Sequence, residues 1–194
     1  MKKVWPAVLY LLILCSCGKE TDRAETTQEQ YKNLASYETD VRVSVPREDE
    51  TLVYTLHLST QGDAVRATVS EPEELTGVGA VLEGDKLTLT FDDLVLDVGT
   101  LSPRVSALSC VPLVLQNFPK VYLDSSGAET LGDVDTLRAD FSLTLSGETL
   151  ACSLWLDASG APVYAEIAEN DKIIAAVEFT NFIFGDILSP DAAQ

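Results

Sequence analysis

The sequence predicts a mainly β protein of the α+β class. It comprises a curved antiparallel sheet of about ten strands, a buried helical plug or lid, and a short N-terminal helix. Three observations predict it. Apolar residues alternate at period two through long stretches between Val41 and Phe179. Short turns bearing glycine and aspartate separate these runs, which marks antiparallel neighbours, apolar on one face and wet on the other. One segment, Ser102 to Phe118, departs from the alternation and is apolar nearly all round, as a buried helix is.

The chain opens with Lys2 and Lys3, then an apolar run from Val4 to Leu14 broken only by Pro6. That run is too short to span a bilayer and lies where a secretory signal belongs. Leu14-Cys15-Ser16-Cys17 follows it. This spacing resembles the bacterial lipoprotein signal, in which the last cysteine receives a diacylglycerol and becomes the new N-terminus. The resemblance implies that Cys17 carries the lipid and that Cys15 leaves with residues 1–16. An ordinary signal peptide or a membrane anchor with chance cysteines is the alternative. Removing 16 of 194 residues leaves 178, enough for one well-cored domain, and the loss of two lysines takes the formal charge from −18 to −20. Such a chain repels nucleic acid and anionic headgroups, so no nucleic-acid partner is expected, and a basic surface helix is not its membrane contact. Acyl chains anchor instead, each buried CH₂ contributing about 0.8 kcal/mol. The expected location is the extracytoplasmic face of a bacterial membrane.

Gly18 to Gln30 is polar, with no aliphatic side chain larger than alanine, and reads as a flexible tether over residues 17–26. Tyr31, Leu34 and Ala35 have helical spacing, which predicts a short helix over about Thr27 to Ser36. The domain proper is expected over 27–188, with a tail at 189–194. Its strands carry Val41, Val43 and Val45, then Leu52, Tyr54, Leu56 and Leu58, then Val65, Ala67 and Val69. Leu87, Leu89 and Phe91 precede Leu94, Leu96 and Val98. The second half carries Leu137 to Leu145, Leu150 to Leu156, Val163 to Ile167, and Ile173 to Phe179 in the same alternation. A sheet of that many strands curls around its apolar face. In the Ser102–Phe118 segment, Ser102 suits an N-cap and Pro103 the first helical position, while Pro112 should kink or split the helix. Leu108 lies on this plug.

Helix, about six strands, a buried helical insert and about four more strands make up this order. It resembles the LolA/LolB-like superfamily of bacterial lipoprotein carriers and receptors. "VRATVSEPEELTG", "EGDKLTLTFDDLVLDVGT", "CSLWLDASGAPVYAEI" and "VEFTNFIFG" are similar to successive strands of that family. The resemblance covers about residues 27 to 188. It implies an unclosed half-barrel with helices across its mouth, and a hydrophobic ligand, a lipid or acyl chain, in the concave face. The fold also serves lipoproteins with other roles, so it does not name the ligand.

Catalytic chemistry has no foothold. His57 is the sole histidine and sits on the polar face with Thr55 and Ser59, where it is expected to be dispensable. No G-x-S-x-G surrounds a serine, and one histidine cannot build a zinc site. Asp92-Asp93 and Asp133-x-Asp135 lack the pattern of a calcium loop. No catalytic residue, metal or cofactor is expected.

Two readings stay open. In one, Leu52, Tyr54, Leu56, Leu58, Val65, Leu89, Phe91, Leu108, Phe141, Leu143 and Leu154 line a cavity that binds a hydrophobic ligand. In the other, the same residues fill the core, and the domain is an anchored scaffold for a protein partner, met through a sheet edge or the acidic surface. Cys110 and Cys152, 42 positions apart, remain after export. They are either a disulfide pinning plug to sheet, worth about 4 kcal/mol by chain entropy, or two separately buried thiols.

Replacing Cys17 with serine is expected to release the protein from the membrane fraction or block its processing. Fractionation and intact mass check this; unchanged retention and processing would refute it.

Overall fold

The computed structural model describes residues 17–61, 64–84, 86–100, 106–145 and 147–185. Helix α1 (Cys17–Lys32) precedes six strands: β1 (Tyr37–Pro46), β2 (Thr51–Gln61), β3 (Ala64–Glu71), β4 (Gly79–Glu83), β5 (Lys86–Phe91) and β6 (Leu94–Thr100). Helix α2 (Cys110–Asn117) follows, then β7 (Leu123–Leu131), β8 (Val134–Leu145), β9 (Glu148–Leu156), β10 (Pro162–Glu169) and β11 (Lys172–Phe184). The expected signal segment, the expected helix start at Ser102-Pro103 and the 189–194 tail lie outside the described residues.

All eleven strands belong to one antiparallel sheet in the order β6-β5-β4-β3-β2-β1-β11-β10-β9-β8-β7. Two meanders are therefore joined along β1 and β11, where Val41 faces Phe179 and Val43 faces Val177. The sheet order ends at β6 and β7, and α2 is the chain that connects those two ends. This is an unclosed half-barrel.

Alternation sets the burial as the sequence implied. Val41, Val43, Leu56, Leu58, Val65, Ala67 and Val69 are buried on the concave face of the first meander. Leu137, Ala139, Phe141, Leu143, Leu150, Leu154, Leu156, Ile167 and Val177 do the same in the second. Helix α2 lies against them: Cys110, Val111, Val114 and Phe118 are fully buried, and Leu113 and Leu115 nearly so. Phe118 meets Phe141 at 6.0 Å between ring centroids. The concavity is filled by the plug.

Some details differ from expectation, and the flexible tether over residues 17–26 is the first, since those residues are helical. Helix α1 starts ten residues before Thr27 and ends at Lys32. The polar run suits a helix because Lys, Glu, Gln and Ala are good helix formers. From Arg23 onward it is docked on the sheet. Ala24 is fully buried, Arg23 donates to the Asp157 carbonyl at 2.9 Å, and the Tyr31 hydroxyl donates to the Gly160 carbonyl at 2.9 Å. Gly160 has φ +85°, and a Cβ there would come within 3.0 Å of Gln30 Oε1, so the helix rests on a bare turn. Pro112 neither kinks nor splits α2. It is the third residue of that helix, where the backbone N–H has no helical partner to lose.

The strand count is eleven because β7 (LDSSGAETL) is polar and carries no apolar alternation. At the opposite end the expected inward faces are not covered. Phe91 is 44% exposed, and Leu94, Val95, Leu96 and Val98 are 46–72% exposed. Both parities of β6 are in solvent, since this edge extends past the reach of α2.

Leu154 is fully buried opposite Ala139 and Ala165. Leu154→Ala should cost about 2–5 kcal/mol, whereas Leu96→Ala, at an exposed edge, should stay within about 0.5 kcal/mol. Denaturant unfolding of both variants checks the pair; similar losses would refute this register.

Candidate functional site

A groove of about 700 Å³ lies at the end of the half-barrel where β1 starts. A row across the sheet forms its floor: Tyr37 on β1, Thr60 on β2, Val65 on β3 and Glu83 on β4. Register holds the row together, since Thr60 faces Val65 and Ala64 faces Glu83. Thr60 Oγ1 accepts from the Tyr37 amide at 2.6 Å and donates to the Tyr37 carbonyl at 3.3 Å, which fixes the first residue of β1 to β2. One wall is the end of α1 and the following turn, Tyr31, Lys32, Leu34 and Ala35. The other is α2 and its exit, Leu115, Gln116, Pro119 and Lys120.

Aromatic packing makes these walls rigid. Tyr31 stands edge-on to Phe118 at 5.3 Å and 88°, and Tyr37 stacks on Phe182 at 5.4 Å. Gln28 Nε2 donates to the carbonyls of Phe118 and Val121, at 2.6 and 3.0 Å, so α1 grips the chain as it leaves α2. Burial pushes both phenol pKa values well above the ordinary tyrosine range. Their hydroxyls differ in one respect. Tyr31 donates to Gly160, while the buried Tyr37 hydroxyl has no hydrogen-bond partner among the described residues. An unmet buried donor ordinarily costs about 1–3 kcal/mol.

The rim carries charge. Lys32 pairs with Glu29 at 2.9 Å, both largely exposed, and that hydrogen bond holds the Glu29 carboxyl below its ordinary pKa. Lys120 has no ion pair among the described residues. A second, smaller hollow of about 370 Å³ lies between α1 and the start of β7, lined by Glu25, Gln28 and residues 121–126.

Of the residues the sequence singled out, Leu56, Leu58, Val65, Phe141, Leu143 and Leu154 are buried on the concave face. Leu52, Tyr54, Leu89 and Leu108 are half-buried, with Tyr54, Leu89 and Leu108 packed against the core. Phe91 is exposed. Only Val65 among them borders the groove; the rest are core or lie beside it, because α2 occupies the space they enclose. Tyr37, Thr60, Gln116 and Lys120 carried no pattern in the sequence. Tyr31 was legible only as a helical core position.

Cys110 and Cys152 are both free and buried in the structure, the arrangement of the second alternative above. Cys110 Sγ is turned to the Ala107 carbonyl at 3.3 Å at the start of α2. Cys152 faces Phe141 and Ile167 within the sheet. Burial pushes each thiol up to about 12.

His57 lies on the outer face, half-exposed, with Nδ1 2.9 Å from Asp40 and Nε2 3.4 Å from Glu38. Its hydrogen bond, with one from Asn181, holds the Asp40 carboxyl below its ordinary range. The other polar cluster on that face is cross-strand bracing. Burial would raise the Asp140 pKa, but hydrogen bonds from Ser153, Ser125 and Arg138 outweigh it and hold the carboxyl low. Arg138 also lies 4.9 Å over the Trp155 ring. Among the described residues no group of three or more His, Cys, Asp or Glu could hold a metal ion.

With this geometry in hand, the chain can be set beside known proteins. No family model matches the sequence, and no curated relative does. Solved structures do match. A LolA superfamily protein of Nitrosomonas europaea is 12% identical, with a TM-score of 0.49 over 87% of this chain and 95% of its own. Lipoprotein LppX of Mycobacterium tuberculosis is 16% identical, with a TM-score of 0.45 over 86% and 97%. A chain in the complex of the CwlD amidase with the GerS lipoprotein, from Clostridioides difficile, is 16% identical, with a TM-score of 0.43 over 85% and 95%. These are likenesses at 12–16% identity and TM-scores of 0.43–0.49, and they assign neither a family nor a ligand.

Thiols with pKa values near 12 are protonated at neutral pH and sterically covered. Native protein carrying Cys17→Ser should therefore resist iodoacetamide, and both Cys110 and Cys152 should alkylate once it is unfolded without reductant. Mass spectrometry checks this. Rapid native labelling, or two unreactive sulfurs after unfolding, would contradict the arrangement.

Proposed function

We propose that this protein is a lipid-anchored, extracytoplasmic binding protein. It holds a hydrophobic ligand, a lipid or acyl chain, in the groove between α1, α2 and the ends of β1 to β4. The anchor is Cys17, the first residue of α1. The ligand's place is the groove at the rim, because α2 fills the concave face itself.

One observation carries the reading: about 700 Å³ of open space bounded mostly by Tyr31, Leu34, Ala35, Tyr37, Val65, Leu115 and Pro119. Sites for small molecules run from about 300 to 1,000 Å³ and are lined mainly by apolar and aromatic side chains. Binding of this kind needs apolar area rather than a reactive group, which accords with a sequence that has no sharp motif. Packed walls favour a ligand that enters sideways over one that needs α2 to lift.

A second reading, an anchored scaffold for a protein partner, is favoured by a different feature. Strand β6 ends the sheet with Leu94, Val95, Leu96 and Val98 in solvent, next to Asp92, Asp93 and Asp97. An extended strand with apolar and basic residues would add to that edge and meet those carboxylates.

Gln116 is half-buried on the groove wall. Gln116→Trp should fill the groove and leave the fold intact, so native mass spectrometry of the delipidated domain from its own host should show a co-purifying lipid in the parent and little in the variant. Equal lipid in both, or none in the parent, would count against the groove.

A further inference from the structure

We propose that the groove selects a single-chain amphiphile with an anionic headgroup: Lys32 and Lys120 meet the headgroup at the rim, and the chain lies along Leu34, Val65 and Leu115. This rests on the ligand-binding reading above and specifies the ligand's polar end.

The first support is charge. The chain carries 31 acidic and 13 basic residues, so an average patch of its surface is acidic. The groove reverses the balance: two lysines border it against one carboxylate, Glu83. These lysines come from different elements, the last turn of α1 and the exit of α2. Lys32 is shared with Glu29, while Lys120 has no ion pair among the described residues. A cation placed next to apolar surface, on a molecule that otherwise repels anions, suits a ligand that is apolar at one end and negative at the other.

The second support is size. The groove is about 700 Å³ in volume, within the range of sites for small molecules, which suits one chain better than a branched, multi-chain lipid.

The test uses the mature chain from residue 17 with Cys17→Ser, which contains every described element and removes the protein's own acyl group. Calorimetric titration compares three probes with the same chain: dodecanoate, methyl dodecanoate and dodecanol. It is run at mildly alkaline pH, where the carboxylate is ionised. Dodecanoate should bind at least about tenfold more tightly than its methyl ester. In the Lys32→Gln/Lys120→Gln double variant, both sites exposed and the fold checked by an unchanged Tm, that preference should fall to within about threefold while methyl ester binding stays the same. Equal affinity for all three probes overturns headgroup selection and leaves the ligand-binding reading standing. A carboxylate preference that survives the double variant overturns the assignment to these lysines. No binding of any probe overturns the ligand-binding reading and this inference with it.

Discussion

An open sheet with one apolar face has to be covered, and in this protein the cover is also the connection between the sheet's two ends. Strands β6 and β7 lie at opposite limits of the order and make no ladder with one another. The chain passes between them through α2, whose residues Cys110 to Leu115 are all buried. Hydrophobic burial of that helix replaces the hydrogen bonds that would close a barrel. Phe118 then links the plug to both sides, meeting Phe141 on β8 and Tyr31 on α1. Everything else in the architecture depends on this one packed segment. Without it, the concave leucines and valines of both meanders would face water.

The same constraint locates the groove. A helix of eight residues rises only about 12 Å, less than the span of a concavity made by eleven strands. Helix α1 extends the cover from the other side, held by Arg23, Gln28 and Tyr31 to backbone carbonyls of distant segments. Beside the contacts that Tyr31 and Gln28 make with the exit of α2, the row from Tyr37 to Glu83 is left open. The groove is therefore what remains after the core is filled, and its walls come from residues that also hold the fold together.

Much of this was legible in the sequence. Val41, Val43, Leu56, Leu58, Phe141 and Leu154 alternate because their strands have one dry face, and alternation is a local signal. The all-round apolar character of Val111 to Leu115 likewise announced burial. Strand β7 was not legible, because an edge strand beside solvent needs no apolar alternation, and LDSSGAETL has none. Phe91 and Leu94 to Val98 misled for the complementary reason. They alternate like a buried strand, yet the cover stops short of them. Period-two patterning reports a strand with apolar residues, and whether another layer reaches it is a tertiary matter. The start of α1 was missed because Gly18 to Gln30 has no apolar face to mark it, and its docking rests on one small residue, Ala24, and on polar contacts. The groove was hardest to read. Tyr37, Thr60 and the pair Gln116 and Lys120 come from three separate segments, and none of them bears a motif that anticipates their meeting.

Hydrogen exchange of the native protein tests the central claim, that α2 is a fixed plug and ligand space lies beside it. The account predicts that the amides of Leu113, Val114 and Phe118 exchange only through global unfolding, with the same free energy as core amides of β1 and β11. Exchange of those amides through a separate opening, orders of magnitude faster than the strand core, would contradict it. The helix would then be a lid, and the concave face itself the binding chamber.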